Sequence, residues 1–197
     1  MNIVKKILLA ATTASVMSSA VLAANDGGRF YDNSVGIWSV VGLYANSENG
    51  TNPACVASTS WQDGSYFNLI QDLSDGELLI EFTNNDWNVT GPYGEGLLDM
   101  TMNFYGNNRV DSRQVKFKMM DKNTIVIHGI DHNTFLPLFM NYSKVVMIMP
   151  GDVQNSELTL KDSTRALNLL TQCLKQSEKE NLSAPANNTG GGMQQGI

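Results

Sequence analysis

The chain has 197 residues, 13 basic against 19 acidic, a formal net charge of −6 and 42% hydrophobic residues. An acidic balance speaks against nucleic acid and anionic membrane surfaces as partners, because both reward clustered lysine and arginine. The length suits one domain once the terminal segments are set aside.

Residues 1–23 are expected to be a secretory signal peptide. Lys5 and Lys6 form the basic start, Ile7 to Met17 the apolar middle, and Val21-Leu22-Ala23 a small-residue cleavage site. Thr12, Thr13, Ser15, Ser18 and Ser19 interrupt the apolar run, which falls short of the roughly 20 residues a membrane span needs. Cleavage is therefore expected after Ala23 or Ala24, with no transmembrane segment left behind and a secreted or periplasmic address. Losing Lys5 and Lys6 takes 13 basic residues to 11 against 19 acidic ones, which makes the remaining chain still more negative.

The body, residues 30–176, reads as strands separated by turn signals. GIWSVVGLY (36–44) is predicted as the first strand and ACVASTSW from Ala54 as the second; SYFNLIQD and ELLIEFTN follow, divided by the hairpin signal Ser74-Asp75-Gly76. After the loop GPYGEG (91–96), Leu98, Met100, Met102 and Phe104 share one face of a strand over 97–105. Arg113 to Met119 alternates in the same way, with Val115, Phe117 and Met119 inward, and Asp121-Lys122-Asn123 turns the chain into TIVIHGI. A short helix is expected around Phe135 to Met140, with Pro137 tolerated only in its first turn. Two more strands, KVVMIM (144–149) and ELTL (157–160), precede a closing helix capped by Asp162 or Ser163. In that helix Ala166, Leu169, Leu170, Cys173 and Ser177 recur at helical spacing. Residues 177–197 are polar and Gly/Asn-rich and read as a disordered tail. The fold class expected is mainly β: an antiparallel sandwich or barrel with a short internal helix and a C-terminal helix.

Two cysteines in an exported chain suggest one disulfide, Cys55 to Cys173, pinning the terminal helix across the sheet. The alternative is two buried free thiols.

The order of GIWSVV, PACVAS, WQDGSYFNLI, TNNDWNV and FLPLFMNYSKVVMIM, closing on SELTLKDSTRALNLLTQCLKQ, resembles small secreted proteins of Gram-negative bacteria. Those chains end in a Leu-x-x-Ser-x-x-Ala-Leu-x-x-Leu-x-x-Cys pattern, and the invasion-associated locus B family is the named group they are most similar to. The resemblance runs from about Gly36 to Lys175. It implies a periplasmic or surface-exposed protein without established catalytic residues.

Four groups of residues are candidates for chemistry. His128-Gly-Ile-Asp131-His132 holds two imidazoles and a carboxylate able to ligate zinc or copper, although no third strong ligand is nearby. The bland reading is polar residues at a strand-to-helix turn. Met100/Met102 and Met147/Met149 place paired thioethers on strand faces, suited to Cu(I) or, more plainly, to packing. Among Trp38, Trp61, Trp87, Tyr93 and Tyr105, the pair Trp87 and Tyr93 flanks the Gly-rich loop and is the candidate binding rim, while Trp38 reads as core. For nucleophilic catalysis no G-x-S-x-G elbow and no Gly-rich phosphate loop occur.

The function expected is a non-catalytic, envelope-associated binding module without a cofactor, its partner a protein or envelope component. A copper or small-ligand carrier and a secreted hydrolase inhibitor are the alternatives.

Overall fold

A computed structural model of the chain describes residues 28–46, 51–89, 93–94, 96–151 and 155–182. The expected signal peptide lies outside the described residues, as do the tail from residue 183 on and Gly91, Pro92 and Glu95 of the Gly-rich loop.

Ten strands form one antiparallel sheet: β1 (Arg29–Val35), β2 (Trp38–Leu43), β3 (Ala54–Ser60), β4 (Tyr66–Asp72), β5 (Leu78–Thr83), β6 (Leu98–Gly106), β7 (Arg109–Met119), β8 (Thr124–Ile127), β9 (Lys144–Ile148) and β10 (Ser156–Thr159). Helix α1 (His132–Asn141) lies between β8 and β9, and α2 (Ser163–Lys179) follows β10. The order across the sheet is β1-β2-β3-β4-β5-β8-β7-β6-β9-β10, so β1 and β10 are its edges and the sheet does not close. The first five strands follow chain order. The next three enter in reverse, because β8 rather than β6 pairs with β5 (Ile80 opposite Ile127).

The sheet folds over on itself in a sandwich-like arrangement. Phe67 of β4 and Phe104 of β6 both pack on Phe139 of α1, with ring centroids 5.7 and 5.4 Å from it. Trp38 of β2 donates its indole N–H to the Lys161 carbonyl, just past β10, at 2.9 Å. These contacts hold the two halves around one core of alternating apolar residues, as the sequence periodicity predicts.

Several local expectations need correction. Gly36, expected inside the first strand, takes φ 58° and with Ile37 makes a two-residue turn between Val35 and Trp38. An earlier strand, RFYDNSV, precedes it; as an edge strand with mostly exposed residues it carries little apolar alternation to read. β7 starts at Arg109 rather than Arg113, because Asn107 and Asn108 (φ 46° and 60°) form a tight hairpin turn that residues tolerant of positive φ allow. Pro137 sits in the second turn of α1, not the first. It is exposed, so the Asn133 carbonyl that it leaves without a helical donor faces the solvent side. Asp162 stands at the N-cap of α2 but in the left-handed region, and its carboxylate makes no capping bond, lying instead 3.6 Å from Arg165. Leu167, rather than Leu169, joins Ala166, Leu170 and Cys173 on the buried stripe. The stripe reaches Ser177, where the polar tail was expected to begin. Its side chain is buried, and its hydroxyl donates to the Leu174 carbonyl.

Cys55 and Cys173 form a disulfide between β3 and α2, with Cα atoms 6.0 Å apart and a sequence separation of 118. α2 lies across β1, β2 and β3. Gly42, opposite Cys55 in the β2–β3 register, leaves room for the cysteine of the helix.

Candidate binding surface

The turn from β7 to β8 organises one end of the sheet. The Asp121 carboxylate accepts the backbone N–H groups of Asn123 and Thr124 at 2.7 and 2.8 Å, the bonding of a carboxylate-nucleated turn. The Asn123 side-chain amide then donates to the carbonyls of Trp87 (2.7 Å) and Asn84 (3.2 Å), and Val89 N–H donates to Lys122 O. These bonds clamp residues 84–89 over the turn and drive Trp87 into the core, edge-on to Phe82 at 5.0 Å. Trp87 is only 3% exposed. It anchors the loop and does not belong to the expected rim.

Tyr93, the other half of that expectation, stays outside. Its hydroxyl donates to Val89 O at 2.9 Å, and Gly94 N–H donates to Met119 O at 2.6 Å, tying this part of the loop to the end of β7. Leu98 pairs with Phe117 in register, one residue beyond Leu97. Tyr93, Leu97, Leu98 and Met120 therefore all lie near one end of β6 and β7, and they are 47, 49, 38 and 52% exposed. No motif announces this group, because Leu97 and Leu98 read as a strand start and Met120 as the residue before a turn.

The four paired methionines do converge. Met102 of β6 stands directly opposite Met147 of β9, with Met100 and Met149 at the same end of the two strands. All four are buried on the inner face within the core that contains Phe104. Met102 and Met147 are wholly buried and fill space between strands, whereas Met100 and Met149 also border an open groove of about 250 Å³.

The two histidines have different settings. His128 Nδ1 lies 3.5 Å from Glu77 Oε1, and the same oxygen accepts Gly129 N–H at 3.3 Å. His132 opens α1, where Asp131 is the N-cap and accepts Asn133 N–H. Bonds from the Thr134 hydroxyl and the Asn133 N–H hold the Asp131 carboxyl below its ordinary range. Among the described residues no three histidines, cysteines or carboxylates come together as a metal site.

One polar cluster was not legible in the sequence. Glu81 accepts from the Tyr66 hydroxyl (3.1 Å) and the Asn68 amide (2.8 Å) on neighbouring strands, and the buried Asn68 Oδ1 has no bonding partner. Burial raises the Tyr66 hydroxyl above its ordinary value; the bond with Thr83 opposes this and the Glu81 charge adds to it. A separate open groove of about 380 Å³ runs between the β6–β7 hairpin and α1, lined by Asn107, Arg109, Asp111, Pro137, Asn141 and Tyr142 among others.

No protein-family model matches the chain, and no curated protein matches it. Among solved structures, the invasion-associated protein B of Bartonella henselae is similar over 74% of this chain and 99% of its own, at 13% identity and a TM-score of 0.45.

Proposed function

We propose that the protein is an exported, non-catalytic binding module of the cell envelope, and that it docks a protein partner through the apolar end formed by Tyr93, Leu97, Leu98 and Met120. The observation that carries this reading is the exposure of four large apolar side chains near one end of the β6–β7 pair, beside a turn fixed by several backbone bonds. Aromatic residues and methionine are enriched at protein interfaces, and a turn already ordered costs little conformational entropy on binding. The basic-then-apolar start of the chain and the Cys55–Cys173 bond support export to an oxidising compartment.

The test is site-specific photo-crosslinking in intact cells, with the probe at Tyr93 or Leu97 and a control probe at the exposed Met140 of α1. The reading requires one discrete adduct from the first two positions, absent from the control and abolished by Met120→Glu at unchanged thermal stability. Adducts of equal yield from all three positions, or none, would overturn it.

A further inference from the structure

β7 is much longer than the strand beside it. β8 pairs only with Phe117, Lys118 and Met119, which leaves Arg109 to Val115 paired with β6 on one side alone. Gly106 and Arg109 flank a two-residue turn and form a hydrogen-bonded pair, so in the antiparallel alternation Asp111, Arg113 and Val115 also bond to β6. The N–H and C=O groups of Val110, Ser112, Gln114 and Lys116 then point the other way. Lys118, next in that series, is the residue that faces Val126 of β8. Among the described residues no strand other than β6 pairs with residues 109–115, and the side chains of Val110, Ser112, Gln114 and Lys116 are exposed. A row of unpaired backbone groups on a sheet is a template for another strand.

We propose that this edge is a self-pairing surface, on which two copies of the chain join β7 to β7 antiparallel about a two-fold axis at Ser112. The charge pattern RVDSRQVK selects both the occupant and the register. Centring the pair on Asp111 sets Asp111 against itself and Arg109 against Arg113; centring it on Arg113 sets two guanidinium groups against each other. Centring on Val110 leaves only Arg109 to Asp111 paired within the strand. The Ser112 register overlaps Arg109 to Val115, bonds Val110 to Gln114 of the second copy, and opposes Asp111 and Arg113 twice. Opposite charges facing across strands stabilise a pairing and like charges oppose it. A two-fold interface is self-complementary by construction, and this register meets that condition. The wrong registers carry the repulsion that protects edges from indiscriminate pairing. The pairing surface lies at the opposite end of β7 from Met120, so a dimer would carry two copies of the apolar end without covering either.

An edge-only interface is small, so the dimer is expected to have a dissociation constant of roughly 10–100 µM. Sedimentation of the exported chain across that range, for the wild type, Asp111→Arg, Arg113→Asp and the double exchange, tests the proposal. The expected result is a concentration-dependent dimer, weakened about tenfold or more by each single reversal and restored when both are combined, since the exchange returns opposite charges to the same register. Both residues are accessible, and thermal melts of the single variants verify that folding is intact. A wild type that stays monomeric up to about 200 µM, reversals without effect, or a double exchange no better than the singles would each overturn it.

Discussion

Gly42 lies so close to α2 that a methyl group on it would stand 2.9 Å from the Cys173 sulfur and 2.5 Å from the Phe30 ring. The missing side chain lets the terminal helix approach β2 closely enough for Cys173 to reach Cys55 on the next strand. Gly42→Ala is expected to lower stability by about 1–3 kcal/mol through overpacking, measured by denaturant unfolding of the oxidised protein. A neutral effect would mean that the helix can retreat without cost.

The disulfide closes a loop between residues 118 apart in sequence. Replacing both cysteines by alanine is expected to lower stability by roughly 3–5 kcal/mol, mainly by enlarging the unfolded ensemble. Thiol reduction of the wild type should give a loss of the same size. A much smaller loss would show that α2 is held chiefly by Ala166, Leu167 and Leu170.

Asp72 sets part of the acid response. Burial pushes its carboxyl up, but bonds from the Ser74 hydroxyl, the Asn52 amide and the N–H groups of Ser74 and Asp75 outweigh that and hold it below the ordinary 3.8. A carboxyl lowered on folding contributes stability above its unfolded value and loses it as pH falls through the folded one. Asp72→Asn should therefore flatten the stability profile below about pH 4. Tyr66 has the opposite sign. Raised above 10.0 by burial first, it contributes below that value and loses the contribution as pH rises through the folded value, so Tyr66→Phe should reduce alkaline sensitivity. Unfolding curves at several pH values would check both slopes.

The burial pattern also predicts an order of oxidation. Met120 and Met140 are exposed, whereas Met100, Met102, Met119, Met147 and Met149 are buried. Under mild peroxide, peptide mass spectrometry should show that, among the methionines of residues 100–149, Met120 and Met140 form sulfoxide first. Equal oxidation of Met102 and Met147 would mean that the β6–β9 end of the core opens in solution.

Much of the fold is legible locally. The alternation in Leu98–Phe104 and Val115–Met119 places the inward faces of β6 and β7 correctly, and the helical spacing of Ala166, Leu170 and Cys173 identifies the buried stripe of α2. β1 escapes such a reading because an exposed edge strand needs no apolar face, its order coming from pairing with β2. The loop aromatics were legible in the sequence, but their burial was not. Tyr93 and Trp87 flank the same loop, but the Asn123 amide, acting from 36 residues away, determines which of them is buried.

The sequence by itself determined the β-rich class and the inward face of most strands, because these follow from side-chain alternation over short stretches; it left Cys55 and Cys173 as a disulfide or two free thiols, and the structure shows the disulfide. Only the tertiary structure decided that β8 rather than β6 lies beside β5, that Met102 meets Met147, and that β7 outruns its neighbour and leaves an edge bare. Strand neighbours depend on which distant segments bury the most surface together, and one strand's periodicity is the same whichever partner it finds.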